Sequence, residues 1–493
     1  MEPTSCSSSL FEHDLRANAF RVCREGKPVS THRVVARGHA FPDHALKPAP
    51  LIQVNAFALF DLKITPMRWN QRYVFGSYLR SSLWVVPFFA IPLALIAVRV
   101  LHRLDIWLGW SLLGLDTAGA KTLLEAFVSA TLAFVVFTFG SLLVAIQVAS
   151  AQLTPRIIAT ILLRNDVVKY TVALLIFTLM FALAAQNRLN EGHYQLLVFT
   201  ATLLGIISFA AFFYLIDYAS RLLRPISVLT SVGNNGIMVV ENVYPRLSSA
   251  PVTETGFLKP ATPDRIVRHR GTSGIVLAVN IGRLLTVAEN ADCVIEFAPQ
   301  VGDFVAVDDP LFDLFGGVRS IDEETLLTSV AFGSERTMDQ DPTFAFRIVV
   351  DIALRALSPA INDPTTAVLA IDQLHRMLRT VGKRDLRTDQ ILNKSGKLRV
   401  LFRTPNWEDF IYLAFSEIRA CGSNNLQIVR RLRAMIENLV QTLPDHRHAA
   451  LLQELSLLDR EVARNFTYPE ELALARIGDT QGLGGHSAQV RSN

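Results

Sequence analysis

The chain is poor in charge, and cysteine is rarer still. Only 19% of its 493 residues are Asp, Glu, Lys or Arg, against about 25% in an ordinary soluble domain. The four cysteines, Cys6, Cys23, Cys293 and Cys421, lie far apart, so neither a disulfide framework nor a CxxC metal knuckle can be read. Lysine is missing from Pro260 to Gly382. That excludes a swinging-arm carrier, a Schiff-base lysine and a P-loop lysine in this stretch. HExxH, GxSxG, GxGxxG and the Walker-type GxxxxGK are all absent, so no enzyme class announces itself. No catalytic activity, cofactor or metal is expected. Basic charge is not in excess either: 48 − 44 gives a net +4, too near balance for a dedicated nucleic-acid binder.

What is abundant is apolar. Half of the residues are hydrophobic, 30 of them Phe, and the mean hydropathy is +0.31. Four stretches approach the roughly 20 apolar residues that cross about 30 Å of hydrocarbon: 83–101, 123–149, 167–185 and 196–216. A domain of four transmembrane helices is expected over 67–224. Eight Lys or Arg flank the spans on one side (Arg68, Arg72, Arg80, Arg156, Arg164, Lys169, Arg221, Arg224) and four on the other (Arg99, Arg103, Lys121, Arg188). The positive-inside bias then predicts a multi-pass protein with both termini in the cytoplasm. No carboxylate falls mid-span, and the first, third and fourth spans read as free of charge, so a proton relay is not expected. In the second span Glu125, Ser129, Gly140 and Gln147 share one helical face, which predicts either close helix packing or the lining of a watery path. Four helices are too few to enclose a pore, so a channel would need a homo-oligomer.

Residues 1–66 lack the apolar core of a signal peptide and read as a disordered or untranslated extension. Residues 225–265 read as a helix, weakened by Gly233 and Gly236, and a linker. From 266 to 476 an α+β domain is expected. It starts with a small β-unit of about 50 residues and ends in helices with apolar positions three and four apart. The Gly-rich tail 477–493 reads as disordered.

Two helices in this domain have the same entrance. Asp341-Pro342 and Asp363-Pro364 are each followed by Thr (Thr343, Thr365). Asp accepts bonds from free first-turn amides, and Pro lacks the amide that would be orphaned there. The short link through Asn362 predicts a helical hairpin. On its first helix Arg347, Asp351 and Arg355 recur at i, i+4 and i+8. They form either exposed helix salt bridges or a partly buried ladder that meets the Asn362-Asp363 turn, a partner or an anion.

Those motifs carry a resemblance. The run ERTMDQDPTFAFRIVVDIALRALSPAINDPTTA, the later AFSEIRACGSNN and the four preceding apolar spans together resemble the bacterial predicted-membrane-protein family called domain of unknown function 2254. The resemblance covers about Tyr73 to Ala475. It implies an integral protein of the cytoplasmic membrane and no agreed activity, so no site residues carry over. A non-enzymatic sensory or scaffolding protein is the first expectation, and an oligomeric channel or transporter gated by its soluble domain the second. Any ligand is left open.

Overall fold

The computed structural model describes residues 68–109, 114–152, 165–192, 194–222, 224–248, 262–316, 321–386 and 389–485. Expectations for residues 1–66 and for 486–493 lie outside them.

The chain enters on α1 (Trp69–Ser81), a helix with two apolar faces. Trp69 and Tyr73 pack on Leu277, Ala278 and Ala331 of the region beyond the spans. Val74, Phe75, Tyr78 and Leu79 are exposed. Four long apolar helices follow: α2 (Val85–Leu108), α3 (Thr117–Gln152), α4 (Asp166–Gln186) and α5 (Gln195–Leu222). All four are long and apolar enough to cross a membrane. α4 is the most enclosed, touching α2, α3 and α5. Inside the bundle the Thr178 and Ser208 hydroxyls hydrogen-bond at 2.8 Å, and Gly205 lets α5 close onto Phe127.

Hydropathy placed the span ends short. α2 runs seven residues past 101, because charge ends an apolar run without ending a helix. That extension buries His102 and Asp105, and Asp105 Oδ2 accepts the Leu196 amide at 3.2 Å. At the other end Lys169 is buried and its ammonium donates to the Arg80 carbonyl. Asp105 and Lys169 both sit near helix ends and have backbone partners.

The region beyond the spans mixes helices and sheets. α6 (Pro225–Val243) begins it. A five-stranded sheet has the order β1 (Arg265–Arg268), β5 (Pro310–Phe315), β3 (Val294–Phe297), β8 (Leu398–Phe402), β7 (Gln390–Leu392). Only the β3–β8 pairing is parallel. A three-stranded antiparallel sheet joins β4 (Phe304–Val305), β2 (Gly274–Val279) and β6 (Val330–Gly333). Two short helices, α7 (Ile281–Asn290) and α8 (Glu323–Leu327), complete this β-rich part. The remaining helices are α9 (Pro342–Ala356), α10 (Pro364–Gly382), α11 (Trp407–Gly422), α12 (Leu426–Thr442), α13 (His448–Asn465) and α14 (Pro469–Ala475). They share one apolar core that includes Phe346, Leu374, Trp407 and Met435.

Two expectations change here. α6 is part of that helical core rather than a bare connector: Val228, Leu229, Val232 and Val240 are buried in it. Its glycines do not weaken it. A Cβ on Gly236 would stand 2.8 Å from Ala345 Cβ, and one on Gly233 2.6 Å from Gln373 Oε1, so both permit close approach to α9 and α10. The tail is also ordered as far as Gly485. The buried Asp479 carboxylate accepts the amides of Gln481, Gly482 and Gly484, while Arg430 and Arg431 hold carbonyls of this segment. Gly482 and Gly484 have φ of +71° and +75°. Glycine-rich composition marks backbone freedom, and here that freedom is used to wrap a buried carboxylate.

Candidate functional site

The two helix entrances form as Asp caps. Asp341 Oδ1 accepts the Phe344 amide at 3.0 Å and the Thr343 hydroxyl at 2.5 Å. Asp363 accepts the Thr366 amide at 3.0 Å and its hydroxyl at 2.5 Å. The threonine in the second cap is therefore Thr366. Thr365, the residue singled out by its position, is exposed. Asn362 is exposed at φ +47°, a left-handed turn position that Asn tolerates better than most residues.

The ladder resolves into a link between helices. Arg347 Nε donates to Asp351 at 2.7 Å, and its two terminal nitrogens grip Glu417 of α11 at 2.6 and 3.0 Å. Asp351 is 15% exposed and Glu417 51%. Arg355 is half-buried in the last turn of α9. Glu417, on a separate helix 70 residues on, is the partner that helix spacing does not reveal. These residues brace α9 against α11, while Asp341 belongs elsewhere.

Among the described residues the small and polar face of α3 is left largely uncovered. Ser129, Gly140 and Gln147 are exposed, and a Cβ on Gly140 would meet nothing within 4 Å. Glu125 is exposed too, though it accepts a bond from Gln186 at 3.2 Å. The covered edge is Leu124, Thr131, Thr138 and Ala145, every seventh residue and well short of a whole side.

Asp341 lines a cavity. About 830 Å³ opens between α1, the end of α6, the sheets and the loop before α9. Trp69 of α1 and Tyr244, the residue after α6, both line it. Phe297 and Phe402 contribute apolar wall, and Arg246 and Arg403 contribute charge. Tyr244 is fully buried, edge-on to Phe410 with ring centroids 6.4 Å apart. Among the described residues its hydroxyl has no hydrogen-bond partner, and neither does Asp341 Oδ2. Burial pushes the Asp341 carboxyl up from its ordinary range, against the pull of its cap bonds and of Arg336 at 4.0 Å. Burial, and then the nearby Asp341 and Asp409 carboxylates, push the Tyr244 phenol far up, so it stays a neutral donor. A second cavity of about 800 Å³ abuts the ends of α4 and α5, lined by Asn165, Tyr218 and Ser231. Asn242 and Asp339 line both cavities, and Tyr73 of α1 donates to Asp339 at 3.3 Å. Few of these cleft residues stood out by motif or spacing, because they converge from five separate stretches. No group of three or more potential metal ligands occurs among the described residues.

Comparison with known proteins agrees with the membrane reading. The family model described as "Predicted membrane protein (DUF2254)" matches residues 80–438. An uncharacterized protein of Mycobacterium bovis is 24% identical over 485 residues, covering 94% of this chain and 91% of its own length. An uncharacterized protein of Mycobacterium tuberculosis is similar to the same extent. The aligned part exceeds the 427 residues (493 − 66) that follow residue 66, so the likeness reaches into the N-terminal segment. No solved structure matches.

Proposed function

Because the chain belongs to that predicted-membrane-protein family, whose description assigns no activity, we propose from its geometry that it is a non-enzymatic membrane-anchored sensory protein. The single observation that carries this reading is that one cleft is walled by both connections to the spans. Trp69 belongs to α1, which runs into the first span. Tyr244 ends α6, which follows the last. A ligand that reshapes this cleft can bias both connections at once, provided it binds two arrangements unequally. The Lys/Arg bias supports a bacterial inner-membrane protein with both termini and the cleft in the cytoplasm. A cysteine placed at exposed Asn190, between the third and fourth spans, should then react with an impermeant thiol reagent in intact cells.

The coupling is tested without knowing the ligand. Leu392 lines the cleft and is 48% exposed. A cysteine at that position, with the native thiols replaced, is loaded with a bulky maleimide in the full chain in nanodiscs. Hydrogen exchange along α1 and α6 is then compared with the unloaded chain. Altered exchange in both helices supports the reading, and unchanged exchange sinks it.

The exposed polar stripe of α3 supports a second reading, an oligomeric channel or transporter with Ser129, Gly140 and Gln147 facing other copies across an axis. A cysteine at Gly140 should then cross-link copies in the membrane under mild oxidation. If the protein stays monomeric, this reading fails.

A further inference from the structure

The sensory reading leaves the ligand's chemistry open, and the cleft walls narrow it. A volume of about 830 Å³ lies within the roughly 300–1,000 Å³ usual for small-molecule sites, which combine apolar walls with a few convergent polar groups. Phe297, Phe402, Leu284 and Ile391 supply such walls. The polar groups are uncommon in one respect. Two nearby arginines outside the lining are engaged: Arg384 binds Glu241 and two carbonyls, and Arg399 binds Asp292. Arg246 and Arg403 line the cleft and are exposed, and their guanidinium groups make no hydrogen bond or ion pair among the described residues. Tyr244 also lines the cleft, and its buried hydroxyl has no hydrogen-bond partner among the described residues. A buried donor left unmade is costly, and a ligand oxygen would satisfy it.

We propose that this cleft binds a small organic anion with an apolar body, its carboxylate or phosphate held by Arg246 and Arg403 and an oxygen reached by Tyr244. Guanidinium suits this role because its planar fork matches carboxylate and phosphate oxygens. The apolar part lies against Phe297 and Phe402, in a cleft whose Trp69 edge belongs to α1, the helix that precedes the first span. A fatty acid, an alkyl phosphate and a nucleotide share this chemistry.

The test uses the full chain in nanodiscs of zwitterionic lipid, with empty discs as blank. Radiolabelled octanoate, octyl phosphate and adenosine monophosphate are the probes. At least one should bind saturably, one per chain, and the probe that does so identifies the source. Arg246→Gln with Arg403→Gln should weaken that binding at least tenfold, and Tyr244→Phe severalfold. The guanidinium groups of these arginines have no partners among the described residues, and Tyr244→Phe removes only an unsatisfied hydroxyl, so lost binding is not lost folding. Unlabelled octanol, which has no anionic head, should not displace the probe. No saturable binding by any probe, or binding undiminished in the double variant, overturns the proposal. It rests on the sensory reading, but binding and helix exchange are measured separately, so either can fail alone.

Discussion

Replacing Asp351 by Ala tests how much the α9–α11 brace contributes. Three numbers frame the magnitude. Breaking a fully buried ion pair costs about 3–5 kcal/mol, an exposed helix pair is worth about 0.3–0.5 kcal/mol, and hydrogen bonds to charged groups about 1.5–3 kcal/mol. Asp351 is 15% exposed and Arg347 28%, which puts this pair between the limits. Arg347 also keeps its two bonds to Glu417 when Asp351 is gone, so no guanidinium is stranded. About 1.5–2.5 kcal/mol follows, or a fall in Tm of about 3–10 °C on the scaling for domains of 150–250 residues. The bond to Glu417 is the largest reason that the Arg347 guanidinium is held above its ordinary range. Even so, Glu417 is 51% exposed, and solvent screening limits Glu417→Gln to less than about 1 kcal/mol. Thermal unfolding of the full chain in detergent at pH 7 should therefore rank Arg347→Ala as at least as damaging as Asp351→Ala, and both above Glu417→Gln. A larger loss from Glu417→Gln than from Asp351→Ala would refute this weighting by burial, and so would no loss from Asp351→Ala.

Asp341→Asn keeps the cap acceptor and removes a charge that burial penalises. A raised folded pKa favours the fold below the unfolded value, about 3.9, and that advantage is lost as pH rises through the folded value. The variant should match or exceed the parent in stability at pH 7 and lose its advantage towards pH 4, which unfolding at both pH values checks. Gly236→Val drives methyls into Ala345 and Met377; it should cost about 1–3 kcal/mol, seen as a lower Tm. Asp479→Ala strips three backbone amides of their acceptor, at about 1–3 kcal/mol for the tail's attachment. Trypsin should then cut after Arg476 faster than in the parent, as mass spectrometry of the fragments would read.

Much of this protein is legible in one dimension. Four apolar runs mark membrane-spanning helices because hydrocarbon imposes a length and excludes charge locally, residue by residue. The Asp-Pro entrances of α9 and α10 are readable for a similar reason, since a cap is satisfied within three residues of itself. Even there, position alone chose Thr365 where the fold uses Thr366. Glycine carries the least local information. The same residue permits close approach in α6, turns the tail around Asp479, and stands exposed at Gly140.

The cleft was decided by tertiary structure alone. Trp69, Tyr244, Arg246, Asp341 and Arg403 span 334 positions (403 − 69) of the chain, and no periodicity links residues that meet only after β8 pairs with β3 and α1 seats on β6. The Arg347–Glu417 bond is of the same kind: helix spacing names Asp351 as a partner, but only the contact of α9 with α11 supplies Glu417. Short-range hydrogen bonds and hydrocarbon length are constraints a sequence states directly. Burial of Asp341 and Tyr244, and with it the upward shift of both groups, depends on which distant segments exclude water, and only the folded chain settles that.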